Sequence, residues 1–368
     1  MTHLNYFEAM DYPAMVQDYG KPEDFLPRFQ RMSKDELYAI QNQRFMEVVD
    51  FAWKVPFYQR LWQSHGVEKS DIKSIDDITR LPCYSKSDLM QSVEAHPPLG
   101  DFDGLAEHPE SERPPLVLQT TSGTTGKPQP LLYGPQSREL QGLLLARIYL
   151  LQGINHKDIV HSVYGHGMVN GGHYIRETFL HWVGSQFLSA GTGVETRSAQ
   201  QLSLIKDFGV TVLVGFGDYL KYLSTLAKEQ GLEPGVDLTV HTLSGHMGTE
   251  SHHAMSSAWG NAEVYDWYGV GDTGVIAGEG PDHNGLHVIE DAQFLEILDV
   301  DTGAVKAHGE SGDMVCTCLY KKDVFPIIRF NTHDVSRFES GSSDLDLPFR
   351  RASQVFSVVV TAWSNSGE

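Results

Sequence analysis

Between residues 116 and 283, short apolar runs alternate with longer amphipathic ones. "DIVHSVY", "SQFLSA", "VTVLVG", "LTVHTLSG" and "AEVYDWYG" read as strands, and 136–151, 199–208, 217–230 and 250–258 read as helices. Strands alternating with helices specify an α/β layered sheet, because each helix must bury its apolar stripe on a sheet face. The flanks differ. The first hundred residues read as helical: Ser33 and Glu36 make a capping-box pattern ahead of Leu37, Ile40, Val48 and Phe51. A further helix through "FYQRLWQSHG" stops at Gly66, and a shorter one begins near "SKSDLMQ". The polar stretch 99–115, with its Gly and Pro, reads as a linker.

From residue 284 the helical pattern ends. "GLHVI", "FLEILD", "GDMVCTCL" and "FPIIRFN" read as strands, with a turn at Asp301-Thr302-Gly303. The expected organisation is a helical part at 1–100, an α/β sheet subdomain at 116–283, a small β subdomain at 284–338 and a tail at 339–368.

Composition narrows the function. Acids outnumber Lys and Arg 48 to 28, a net charge of −20, which argues against a nucleic-acid or anionic-membrane partner. No apolar run reaches the ~18 residues of a membrane span, and "MTHLNYFEAMDYPAM" lacks the pattern of a signal peptide. Three cysteines, Cys83, Cys316 and Cys318, make no disulfide framework. The expectation is a cytoplasmic enzyme; the sequence leaves open whether it forms a homodimer.

One loop carries chemistry. "TTSGTTGKPQPLLYG", Thr120 to Gly134, lies between the strand-like runs "LVLQ" and "PLLY". Its glycines let backbone approach a ligand, and free N–H groups in such a turn form an anion-binding concavity. Ser122, Thr124 and Thr125 add hydroxyl donors and Lys127 a point charge, so the loop reads as a phosphate cradle. The P-loop of nucleoside triphosphatases is excluded: only two residues separate Gly123 from Gly126, and Pro128 stands where the metal-binding hydroxyl belongs. A Rossmann glycine pattern fails as well. The competing reading is a surface turn without a ligand.

Thr121-Ser122-Gly123-Thr124-Thr125-Gly126-Lys127-Pro128-Gln129 resembles the phosphate loop of the adenylate-forming superfamily, which includes the acyl- and aryl-CoA synthetases; Gln129 replaces that motif's final Lys. Two further motifs follow in the family's order. "YDWYGVGD" is similar to Tyr-Gly-x-Ser/Thr-Glu, with Gly271 in place of the hydroxyl and Asp272 in place of Glu. "PIIRFNTHD" is similar to Arg-Tyr-Arg-Thr-Arg-Asp, matching Arg329 and Asp334. The phenylacetate–CoA ligase branch fits best. The resemblance implies the superfamily's layered α/β N-terminal domain with a small β subdomain, and ATP with Mg²⁺. It places ATP on Thr121, Ser122, Gly123, Thr124, Thr125, Gly126 and Lys127, on Tyr268 and Gly269, on Ser244-Gly245-His246 ("SGHMG", backing adenine), and on Arg329 and Asp334. Asp334 would accept the ribose hydroxyls, and Asp272 would ligate Mg²⁺. Asp272, Thr124 and Lys127 are the expected catalytic groups, acting by positioning and charge neutralisation.

The family continues after its ribose acid with a hinge and a lid domain. Here only Arg350-Arg351 and a short tail follow, less than the ~50 residues an independent domain needs, so the expectation is that the lid is absent. Such architecture resembles the lid-less adenylating proteins of phenazine-antibiotic biosynthesis. It implies a phenazine dicarboxylate as the acid, no CoA transfer by the chain itself, and a downstream reductase or acyl acceptor as partner. An aryl slot is expected from Tyr164, His166, Met168, His173, Phe216 and Trp267. A zinc site at His283, His287, Cys316 and Cys318, as in some relatives, stands against the favoured reading of two buried cysteines. Against the enzyme reading stands that of a degenerate protein that binds nucleotide or aryl acid without catalysis.

Overall fold

The computed structural model describes residues 4–121 and 127–355. Five helices open the chain: α1 (Tyr12–Tyr19), α2 (Phe25–Phe29), α3 (Lys34–Ala52), α4 (Pro56–Ser64) and α5 (Lys86–Ala95). Ser33 and Glu36 cap α3 reciprocally: Glu36 N–H donates to Ser33 Oγ (3.2 Å) and Ser33 N–H to Glu36 Oε2 (2.8 Å). The stretch expected to be a linker is docked on the body instead. Phe102 is buried against Phe325, and Gly104 N–H donates to the Val324 carbonyl.

An antiparallel hairpin, β1 (Val117–Thr120) and β2 (Pro130–Tyr133), leads into α6 (Pro135–Leu151). There follow β3 (Ile159–Ser162), α7 (Asn170–Glu177), β4 (Gln186–Ser189), α8 (Ser198–Asp207), β5 (Val212–Phe216), α9 (Gly217–Glu229), β6 (Thr242–His246), α10 (His252–Ala258), β7 (Glu263–Val270), β8 (Gly274–Glu279) and β9 (Leu286–Val288). The chain closes with β10 (Gln293–Leu298), β11 (Gly312–Cys318), β12 (Phe330–Ser336) and β13 (Arg351–Ala352).

The large sheet has eight strands in the order β13-β9-β8-β7-β6-β5-β3-β4. From β4 to β7 neighbouring strands are parallel; from β7 onward they are antiparallel. Both faces are covered. On β5, Val212 and Val214 enter a core shared with α6 and the N-terminal helices, while Leu213 enters one built with α8, α9 and α10. This is the period-two alternation of a strand buried on two sides. β10, β11 and β12 form a separate antiparallel sheet.

Two strand assignments change. "GLHVI", read with the small β unit, forms β9 and pairs with β8 in the large sheet. "FPIIRFN" is not a strand along its length: Arg329 adopts φ +55°, and β12 starts only at Phe330. A left-handed residue interrupts pleated backbone. Among the described residues no helix is long and apolar enough to cross a membrane.

Candidate adenylation site

The parallel strands deliver their carboxyl ends to one region, where open α/β sheets bind ligands. Tyr164 follows β3, Phe216 ends β5, His246 ends β6, and Trp267 to Val270 end β7. On this edge Tyr268, buried at 7% exposure, donates its phenol to Asp334 Oδ2 at 2.6 Å; Thr332 Oγ1 lies 3.2 Å from the phenol oxygen. Burial first, then Asp334, holds the phenol well above its ordinary range, so it stays a donor. The pair joins β7 of the large sheet to β12 of the small one. Gly269, next in line, sits at the irregularity of the β7–β8 pairing, where a Cβ would meet the Gly274 carbonyl at 2.3 Å.

Ser122, Gly123, Thr124, Thr125 and Gly126 lie outside the described residues. Their flanks are in place. Thr121 N–H donates to the Gln129 carbonyl (3.1 Å) and Gln129 N–H to Thr121 Oγ1 (3.2 Å), closing the base of the loop, and Lys127 is exposed. Gln129 is fully buried and donates Nε2–H to Asp272 Oδ1 at 2.6 Å. Asp272 is itself buried, which raises its carboxyl above the ordinary range; the Gln129 donor pulls the other way. A Cβ at Gly271 would lie 2.8 Å from Leu131 Cδ1, so a hydroxyl residue there would require the Leu131 side chain to shift. For Mg²⁺ the donor chemistry fits: Asp272 is a hard carboxylate, oriented by Gln129 at the exit of the loop, and Mg²⁺ sites use one or two carboxylates with substrate phosphates.

The residues of the expected aryl slot converge in part. His246 lies 4.2 Å from Trp267 and 5.4 Å from Phe216 between ring centroids, and its Nδ1 meets Tyr164 Oη at 2.7 Å. Burial lowers His246 to about 4, so the imidazole is neutral. Tyr164 and Trp267 are buried, whereas Phe216 is 43% exposed and Met168 55%. His166 and His173 pair edge to face at 5.7 Å, with His173 Nε2 2.6 Å from the Gly167 carbonyl. The rings pack on one another rather than standing apart as the walls of an open slot.

Other expectations are corrected. Arg329 is a structural ion-pair residue: its guanidinium forks onto both Glu296 oxygens at 3.0 Å and bonds the Leu81 carbonyl. Glu296 and the Leu81 carbonyl take those donors in the interior. Ser244 is fully buried and donates to Gln152 Oε1 at 2.6 Å, so its hydroxyl belongs to the interior. Gly245 is required for strand approach, since a Cβ would sit 1.9 Å from the Gly215 carbonyl. The zinc set does not assemble. His287 is in the large sheet against Asp282 (3.2 Å), while Cys316 and Cys318 lie in the small sheet against Gln293 Oε1 and the Thr273 carbonyl. Both thiols are buried, as favoured.

The site also holds groups that the motifs did not mark. Lys321, fully buried, donates to the Asp272 carbonyl at 2.9 Å and lies over the Tyr133 and Phe325 rings. Nothing local in "LYKKD" distinguishes Lys321 from Lys322. Asp266, inside the quoted "YDWYGVGD", accepts Met247 N–H at 3.1 Å and is raised by burial to about 7.

No family model matches the sequence. The chain is 28% identical over 327 residues to a phenylacetate-coenzyme A ligase of Aromatoleum evansii, covering 86% of this chain and 69% of that protein. It is 28% identical over 320 residues to one from Escherichia coli K12, covering 84% and 69%. Among solved structures, 2-hydroxyisobutyryl-CoA ligase in complex with 2-HIB-AMP and CoA superposes with a TM-score of 0.81 at 25% identity, over 90% of this chain and 70% of that one. With the fold and the order of the three motifs, these matches support an adenylate-forming carboxylate ligase, similar to the phenylacetate-coenzyme A ligases.

Proposed function

We propose that the protein adenylates an aryl carboxylate with ATP. The carboxylate oxygen attacks the α-phosphorus, the bond to the bridging oxygen breaks, and acyl-AMP and pyrophosphate result. The observation that carries this reading is the Tyr268–Asp334 pair at the carboxyl ends of the parallel strands. A carboxylate accepts from vicinal hydroxyls with good geometry, the role proposed for Asp334. Phosphate would lie on Thr121–Lys127, beside Asp272. Mg²⁺ on Asp272 would supply neutralising charge at the phosphates. Catalysis would then be positioning and electrostatics, without a side-chain nucleophile.

The aromatic composition around His246 and Trp267 supports a flat acid, of which phenazine dicarboxylate is the specific candidate, with the adenylate passed to an acyl acceptor or reductase in antibiotic biosynthesis. ATP–pyrophosphate exchange across phenazine-1,6-dicarboxylate, phenylacetate and acetate tests the reading, with mass spectrometry for acyl-AMP and, when CoA is added, for acyl-CoA. Exchange with an aryl acid is the expected result. Nucleotide binding with no exchange for any acid would favour a binding protein, the reading that Gly271 supports.

A further inference from the structure

Beside Asp266, outside the motifs, lies a cavity of about 250 Å³ lined by His252, Asp266, Glu279, Leu286 and Gln354, among others. His252 opens α10, Glu279 ends β8, and His283 sits on the connection to β9. Ligand atoms of His252, Glu279 and His283 all lie within 4.8 Å of one another. His252 Nδ1 is 3.8 Å from Glu279 Oε2. We propose that these three side chains form a binding site for a divalent transition metal of the zinc class.

The donor set is two imidazoles and one carboxylate, the ligand set of open zinc sites in which water takes the fourth position. Tetrahedral bonds of ~2.0–2.1 Å put ligand atoms about 3.3 Å apart, so each must move inward by only about 1 Å. The backbone holds the ligands in place. The turn 280–283 closes with His283 N–H on the Gly280 carbonyl (3.0 Å), and His283 adopts φ +45°, a conformation non-glycine residues seldom take. Its ring stacks on Tyr265 at 4.9 Å and 9°. Glu263 Oε2 lies 3.5 Å from His283 Nε2, the kind of carboxylate partner that orients a metal-bound imidazole. The Asp266 backbone N–H donates to Glu279 Oε2 at 2.7 Å.

Glu279 is buried at 8% exposure. Among the described residues its ion-pair partner is His252, and no Lys or Arg pairs with it. A divalent ion held by these ligands would tie α10, β8 and the turn before β9 together. The inference does not depend on the adenylation reading.

The test is titration of the chelator-stripped full chain with Zn²⁺ by calorimetry and with Co²⁺ by visible absorption. The expected result is saturation at one equivalent, a Co²⁺ d–d spectrum and a raised melting temperature with Zn²⁺. His283→Ala, on an exposed turn, and His252→Ala should each weaken binding at least ~10-fold, while His65→Ala on the N-terminal helices should not. Retained folding of the variants is checked by circular dichroism. Absence of stoichiometric binding up to millimolar metal, or binding unchanged in both variants, overturns the proposal.

Discussion

Tyr268 Oη donates to Asp334 Oδ2 at 2.6 Å, joining the end of β7 to β12 and bringing together two motifs 66 positions apart. If Asp334 accepts the ribose hydroxyls, Asp334→Ala should weaken ATP binding by ~1.5–3 kcal/mol, the range for hydrogen bonds to a charged group. Calorimetric titration reads this directly. Unchanged affinity would leave the pair a structural bridge between the sheets.

Gln129 opposes the burial that raises Asp272. Without its donor the carboxyl rises further, and a reaction that needs the carboxylate ionised loses activity at higher pH than before. Gln129→Ala should therefore move the acid limb of the exchange rate upward by about 1–2 pH units, the equivalent of one charge-assisted hydrogen bond. An acid limb that stays in place would show that the ionisation of Asp272 does not limit the reaction.

Glu279 is raised from 4.5 to about 8, chiefly by burial. Between those values the unfolded chain has released its proton while the folded chain keeps it. Stability from this group is thus fully present below the lower value and is lost as pH rises, by about 1.4 kcal/mol per pH unit. Asp266, raised from 3.8 to about 7, adds a term of the same sign. Urea unfolding with chelator present, from pH 5 to 8, should show a shallower decline in Glu279→Gln than in the parent protein. Parallel curves would mean that Glu279 ionises in the folded state.

Asp291 is 1% exposed and lies between two guanidiniums, Arg147 (2.9 Å) and Arg44 (3.2 Å), linking α6 and α3 to the start of β10. Asp291→Ala leaves two buried cations unpaired and should destabilise the fold by ~3–5 kcal/mol. Chemical denaturation measures it; a loss below ~1 kcal/mol would indicate that water reaches the guanidiniums.

The alternation of apolar runs was enough to establish the layered α/β sheet, because each such run has only two faces to bury and the helices between must cover them. Local chemistry was legible too: the Ser33–Glu36 cap involves residues three apart, and the loop flanks at Thr121 and Gln129 belong to one hairpin. Motif order singled out Tyr268 and Asp334, and the fold brings these two into contact. Partner choice among buried groups was not legible. Whether Arg329 meets the nucleotide or Glu296, whether "GLHVI" joins the large or the small sheet, and whether His287 stands by Cys316 or by Asp282 depend on contacts between distant segments. The same holds for Lys321, a lysine like its neighbour until the fold closes over it and leaves the Asp272 carbonyl as its acceptor. Local propensity acts over a few residues. A buried charge must find its counterpart wherever packing puts one, and only the tertiary structure decides where that is.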